Sequence, residues 1–387
     1  MLKKLRFDQL DFVRGFALLT ITVSHFTVFV SRAGYLGVKI PTLSSVGFSS
    51  SAPLFFMVSG MLLGIIYFNK RDNYNWLRLS SILLSRAVMI LTMNCVLFVM
   101  VLAIFSFAPN PMEHIFQLQT LRSQPYIWAY NVFTLGYNLP LLDILNVYVV
   151  FMIVAIPFSW LTRYSVTAAL LALLGAYFVA QTSPDFTLRG GNQWEDGIWS
   201  FNPLAWGGFF LGGMLAGRYN LHEKLRELAV SRARGRLLTV SLVLIYLACA
   251  VLTRLHWSGT INIPAIDKAT MQPVRLFHAL VTFLGLLAFL FRYEQLKQFP
   301  PYRLVYNSVA LVGKYSLHSF MASVVLNYAM LLFWLQVGGT TAYIGIALVG
   351  MLALVLFASA LNALKAARTG ALNQPDKASE ILPRDVV

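Results

Sequence analysis

Two ionisable side chains of the first apolar segment are of types that can take part in catalysis. Arg14 and His25 both lie within residues 10–30, where an ionisable group is costly and is therefore a candidate for function. In a helix, the step of eleven residues from Arg14 to His25 makes close to three full turns, so both side chains face one way, about 16 Å apart along the axis. The spacing predicts a cation towards one membrane surface and a general base towards the other.

Asp11 extends this pattern towards the start of the segment. It stands three residues before Arg14, which predicts an ion pair that orients the guanidinium group. Each residue also has a structural interpretation: Asp11 as a helix-start residue, Arg14 reaching lipid phosphates, and His25 as a buried hydrogen-bond partner. The shared face of Arg14 and His25 favours the functional interpretation.

Other ionisable residues recur in later apolar segments. Arg275 and His278 are three apart, Lys314 and His318 are four apart, and Asp143 opens another segment. Any one of them could be a structural hydrogen-bonding group. Several converging in one bundle would form a polar cavity, and this convergence is the prediction.

The composition identifies the class of protein that positions these groups. The chain is 58% hydrophobic and 12% charged, whereas soluble domains carry about 25% charged residues. Apolar runs near membrane length predict an all-α, polytopic membrane helix bundle with about ten spans. A shorter stretch at 127–135 is interpreted as interfacial or re-entrant. The predicted spans are 10–30, 50–68, 84–107, 142–161, 165–181, 201–217, 237–254, 273–291, 306–334 and 342–364.

The basic residues predict the orientation of these spans. With the N-terminus in the cytoplasm, 21 of the 30 Lys and Arg residues fall on the cytoplasmic side and 7 on the other. This bias predicts that both termini are cytoplasmic, and it attributes the net charge of +15 to short loops rather than to nucleic-acid binding. Residues 1–366 are interpreted as one membrane domain and 367–387 as a flexible cytoplasmic tail.

Polar and aromatic residues collect in two predicted outer segments, 109–140 and 182–200. Trp194, Glu195 and Asp196 are of the types that stack on a sugar and hydrogen-bond to it. An interfacial aromatic belt with ordinary polar loops accounts for the same residues.

Two classes of chemistry fit the predicted polar set. In acyl transfer, a histidine deprotonates an acceptor hydroxyl while cations hold the phosphates of a coenzyme A thioester, a role that suits Arg71, Arg78 and Arg86. The orientation bias alone also explains those arginines. In proton-coupled transport the same His and Asp groups form a relay, although no inverted repeat is present. An inactive scaffold subunit is the third alternative.

Several segments resemble a known family. Residues 10–25, L-D-F-V-R-G-F-A-L-L-T-I-T-V-S-H, resemble the start of the acyltransferase-3 superfamily, whose first helix carries a basic residue, ten others and a histidine. Further segments are more specifically similar to OpgC-type transferases, and they occur in that family's order. They are L-L-D-I-L-N-V-Y-V-V from Leu141, F-N-P-L-A-W from Phe201, D-K-x4-P-V-R-L-F-H-A-L from Asp267, and G-K-Y-S-L-H-S-F from Gly313.

The resemblance implies an O-acyltransferase of the bacterial inner membrane with about ten helices. Its donor would be a cytoplasmic acyl-CoA, with a succinyl group transferred to a periplasmic glucan and no metal involved. His25 matches the catalytic base, with Arg14 and Asp11 as its catalytic partners. Arg14, Arg78 and Arg86 are expected to bind the donor. The expected substrate-binding residues are Asp143, Asn202, Trp206, Arg275, His278, Lys314 and His318.

Overall fold

Helices make up all the regular structure that is described. The computed structural model describes residues 8–67, 75–107, 123–136, 139, 141–183 and 200–372. No strand occurs in these ranges, which confirms the predicted all-α class. Arg71 and the predicted outer segment around Trp194 lie outside the described residues.

Fourteen α-helices are described in these ranges, and we number them in chain order. Helices α1 to α7 are Asp8–Arg32, Leu43–Val46, Ala52–Tyr67, Trp76–Phe105, Pro125–Phe133, Asp143–Tyr164 and Val166–Thr182. Helices α8 to α14 are Pro203–Arg218, Leu221–Val230, Arg234–Trp257, Pro273–Arg292, Pro300–Lys314, Ser316–Val337 and Gly339–Leu372. A 3-10 helix, Glu294–Gln298, precedes α12.

Seven of the described helices are long and apolar enough to cross a bilayer. They are α1, α4, α6, α10, α11, α13 and α14, and α3 and α7 are shorter apolar helices of 16 and 17 residues. About 20 residues are needed to cross the hydrocarbon core in a straight helix. The chain is therefore a multi-pass membrane protein, while the count of ten spans and the cytoplasmic position of the termini stay predictions.

The structure divides one predicted span. Residues 306–334 do not form a continuous helix, because α12 ends at Lys314 and α13 begins at Ser316. Tyr315 between them has φ −104° and ψ 31°, outside the helical range. Polar residues surround this break (Lys314, Ser316 and His318), but the apolar residues on either side of them give the whole stretch the hydropathy of one span. The last helix runs to Leu372, past the predicted domain end at residue 366, and residues 373–387 lie outside the described residues.

Helix α1 lies in the interior of the bundle, with α3, α12 and α13 packed against it. α13 runs parallel to α1, since Arg14 contacts Ser316 at one end and Tyr35 contacts Trp334 at the other. α14 returns in the opposite direction, and its Tyr343 accepts or donates a hydrogen bond with Thr27 at 2.7 Å. The interior face of α1 is therefore covered by neighbours along its length.

Helices α3 and α8 pack backbone against backbone through four glycines. Gly60 and Gly64 of α3 face α8, and Gly213 and Gly217 of α8 face α3. A Cβ atom at any of these positions would overlap the main chain of the opposite helix. Small residues four apart let two membrane helices approach this closely, so these glycines hold α3 against the bundle.

Replacing Gly213 with valine is expected to destabilise this packing. The added side chain would push against the main chain at Met57, and overpacking of this kind costs about 1–3 kcal/mol. Gly212→Val is the matched control, because a Cβ at Gly212 meets no atom within 4 Å. The thermal unfolding midpoint in detergent should fall for Gly213→Val and stay near the unsubstituted value for Gly212→Val. Equal midpoints for the two variants would contradict close packing of α3 on α8.

Candidate active site

Arg14 opens onto an interior cavity between α1, α3, α4, α6 and α13. The cavity has a volume of about 300 Å³. Arg86 of α4 lines the same cavity, so two guanidinium groups meet there from helices far apart in sequence. Hydroxyl groups add to its polar lining, and they belong to Ser59, Tyr67, Tyr148 and Ser316. We call this space the arginine cavity.

The side chain of Arg14 is held from two sides. Its Nη2 donates a hydrogen bond to Ser316 Oγ, and its guanidinium carbon lies 5.6 Å from the centre of the Phe55 ring. Asp11 attracts Arg14 electrostatically, as the predicted ion pair requires. Arg14 Nε is buried and has no hydrogen-bond partner among the described residues. This donor fits an anionic or carbonyl group of a ligand in the arginine cavity.

Arg86 completes the cationic wall of the cavity. Its Nη2 donates to the Tyr67 hydroxyl at 3.3 Å, and its guanidinium carbon lies 5.1 Å from the centre of that ring. Tyr67 ends α3, so the cavity lies in the half of the bundle where α1 begins. Arg78, predicted to act with Arg86, is exposed near the start of α4 and does not line the cavity.

His25 lies three turns beyond Arg14 on the same face of α1, as the spacing predicts. The residue is partly exposed, and its Nδ1 is buried with no hydrogen-bond partner among the described residues. Leu18 and Ile21, both buried, lie between it and Arg14 on this face. His25 does not line the arginine cavity, so the cation and the base occupy two levels of one helix.

Lys268 adds a charge at the level of His25. Its ammonium group interacts electrostatically with His25 and lies 4.6 Å from the centre of the Phe201 ring. Lys268 is exposed, which places this charge at the mouth of the site. Lys268 belongs to the D-K-x4-P segment, and no spacing in the sequence connects it with His25.

His278 packs against a segment that enters the bundle before α3. Its Nδ1 accepts a hydrogen bond from Ser49 N at 3.2 Å, and Tyr246 stacks on its ring at 5.3 Å between centres. Its exposed fraction is 1%. Ser51, at the end of this segment, lies 2.6 Å from Thr20 Oγ1, so α3 begins beside the middle of α1 rather than at its end.

Three further predicted residues contact the loop 266–269. Arg275 donates from Nε to the Ile266 carbonyl. Asn202 caps α8 by accepting from Leu204 N at 3.0 Å. Trp206 donates from its indole to the carbonyls of Lys268 and Ala269, both at 3.1 Å. The backbone N–H of Asn202 also donates to the Ala269 carbonyl at 2.9 Å. Asn202 and Trp206 therefore both position the loop that carries Lys268.

Asp143, Lys314 and His318 do not line the arginine cavity. Asp143 is in the first turn of α6, where its Oδ1 accepts from Ile144 N at 3.1 Å. Lys314 is exposed and donates to Asn362 Oδ1 at 2.6 Å. His318 is also exposed and lines an apolar groove of about 490 Å³ between α4, α13 and α14. These three residues, Arg275 and His278 were predicted to converge on one cavity, and none of the five lines the arginine cavity; their roles in substrate binding stay predictions.

The fold and the site together define a multi-pass membrane protein with an interior cationic cavity and a histidine on the same central helix. The sequence model of the OpgC protein family matches residues 6–366, so the chain belongs to that family. Membership implies a membrane acyltransferase that acts on glucans, and it confirms the OpgC-type resemblance. No curated protein and no solved structure matches the chain.

Proposed function

We propose that the protein transfers a succinyl group from coenzyme A to a hydroxyl group of a periplasmic glucan. The single observation that carries this proposal is the arrangement of helix α1, which presents Arg14 in a cationic cavity and His25 three turns further on. A polyanionic thioester needs cations at one end of its site and a base at the other. The family supports the same class of reaction.

The donor enters from the side where α1 begins, and the bias of the loop charges favours the cytoplasm of an inner-membrane protein for that side. Arg14 and Arg86 hold the phosphates nearest to the pantetheine arm. A cavity of about 300 Å³ is at the lower end of the range for ligand sites, so it accommodates only part of coenzyme A. The arm then extends along α1 past Leu18 and Ile21 for the roughly 16 Å that separates Arg14 from His25.

The acceptor reaches His25 from the side of Lys268. The neutral imidazole of His25 takes the proton of the glucan hydroxyl, and the oxygen of that hydroxyl bonds to the thioester carbonyl carbon. The carbon–sulfur bond then breaks, and the coenzyme A sulfur receives the proton from His25. The products are a glucan ester, coenzyme A thiol and the regenerated neutral histidine.

A direct assay tests this proposal against a proton-coupled transporter that would use the same groups. The purified protein in detergent is mixed with succinyl-CoA, and free thiol is followed with and without a linear glucan. We expect thiol release that depends on the glucan, together with a mass increase of the glucan by a succinyl ester. Absence of glucan-dependent thiol release, with glucan efflux from protein-containing vesicles driven by a proton gradient, would overturn it.

A further inference from the structure

Helix α13 presents a row of polar side chains to the interior of the bundle. Ser316, Ser319, Ser323 and Asn327 are spaced three or four apart, and each is at most 5% exposed. Three of them are satisfied within the protein: Ser316 accepts from Arg14, Ser319 donates to the Val312 carbonyl, and Ser323 donates to the Phe320 carbonyl. Asn327, at the far end of the row, is different.

In the buried side-chain amide of Asn327, the nitrogen makes a hydrogen bond and the oxygen has no described partner. Its Nδ2 donates to the Ser323 carbonyl at 2.7 Å. Because a carbonyl oxygen can only accept, the amide must face it with the nitrogen, which leaves Oδ1 as an unused acceptor. Asn327 is 0% exposed, and Oδ1 has no hydrogen-bond partner among the described residues. Such a buried acceptor is costly unless a donor reaches it in the working protein.

The register of α1 and α13 brings this acceptor to the level of His25. The two helices run parallel, and Arg14 contacts Ser316 near the start of α13. Further along, the rings of Phe29 and Tyr328 lie 5.0 Å apart. His25 lies between these two contacts, level with residues 324–327. Asn327 stands eleven residues after Ser316, as His25 stands eleven after Arg14, so both face the interior.

The two unsatisfied atoms are complementary. Nδ1 of His25 is buried without a described partner, as Asn327 Oδ1 is. A neutral imidazole carries one N–H donor, and a hydrogen bond at Nδ1 decides that the proton sits there. Nε2 is then left with its lone pair free, which is the form that a general base requires.

We propose that Asn327 orients His25 by accepting a hydrogen bond from its Nδ1–H, directly or through one water molecule. Asn327 is thus a positioning residue, and this inference rests on the proposed function, in which His25 is the base. It keeps the imidazole in the tautomer whose Nε2 accepts the proton of the glucan hydroxyl. Removing a group that orients a functional histidine typically lowers activity about 10- to 100-fold.

The test compares variants of Asn327 by their kcat and KM for succinyl-CoA and a linear glucan. Asn327→Leu keeps the volume and removes the acceptor, and we expect kcat to fall about 10- to 100-fold with both KM values nearly unchanged. Asn327→Asp restores an acceptor at the same position and should recover most of kcat. Ser323→Ala is the control, because its hydroxyl bonds only to its own helix, and kcat should stay within about threefold.

A second comparison separates orientation from packing. In a His25→Ala background, Asn327→Leu should cause no further loss of residual activity, because residues that act as a unit are not additive. An unchanged kcat in Asn327→Leu, or the same fractional loss with and without His25, would overturn the role of Asn327. If Asn327→Leu does not yield folded protein, failure of Asn327→Asp to outperform Asn327→Ala would overturn it. Full activity of His25→Ala itself would instead overturn the proposed function.

Discussion

Replacing His25 with alanine is expected to lower the rate of glucan acylation by about 10²- to 10⁴-fold, the usual contribution of a general base. The reason is that the other two predicted histidines are placed elsewhere: His278 is packed against Ser49, and His318 lies in the apolar groove between α4, α13 and α14. The loss should appear in kcat rather than in the KM for either substrate. Thiol release at saturating succinyl-CoA and glucan measures it.

His318→Ala provides the matched control for this prediction. It removes the same ring from an exposed position in an apolar groove, away from the arginine cavity, and should retain nearly full activity. Size-exclusion profiles and thermal midpoints in detergent establish that both variants are folded. Acylation by His25→Ala at a rate near that of the unsubstituted protein would remove His25 from the role of base.

Replacing Arg14 with glutamine is expected to raise the KM for succinyl-CoA by about 10- to 100-fold. A hydrogen bond to a charged group is worth about 1.5–3 kcal/mol, and each 1.4 kcal/mol corresponds to a factor of ten. Glutamine keeps a polar group towards Ser316 but loses the charge and the unpartnered Nε donor. Arg86→Gln should act in the same direction, because Arg86 lines the same cavity.

Arg78→Gln separates a cavity effect from a general effect of positive charge. Arg78 lies on α4 eight residues before Arg86, yet it is exposed and outside the arginine cavity. Its replacement should leave the KM for succinyl-CoA within about twofold, as expected for an exposed charge. Initial rates over a range of donor concentrations at fixed glucan distinguish the variants. A rise in the KM for glucan instead of the donor would assign the cavity to the acceptor.

The arginines of α4 illustrate why the sequence predicts only part of the site. Arg78 and Arg86 are equivalent as charges near one end of an apolar segment. The structure separates them because Tyr67, at the end of α3, holds Arg86 towards the cavity. The contact links residues whose adjacency depends on how α3 and α4 pack. No periodicity within α4 contains that information.

The predicted residues that do not line the arginine cavity also show how little one segment says about tertiary contacts. His278 was predicted from its spacing to Arg275, but its partner is Ser49, in a segment that enters the bundle more than two hundred residues earlier. Lys314 and His318 were predicted to lie four residues apart within one span. The break at Tyr315 places them on different helices, and both are exposed.

The sequence by itself determined the class of protein, the helical segments and the shared face of Arg14 and His25. These follow from hydropathy and from the helical repeat, which act within one segment and need no neighbour. Only the tertiary structure decided which side chains lie near that face: Arg86 and Ser316 beside Arg14, and Lys268 near His25. Their contacts join helices far apart in the chain, and the close approach of those helices depends on packing details such as the glycines of α3 and α8. A helix pattern specifies where its own side chains point, whereas the partner they meet is set by the packing of the whole bundle.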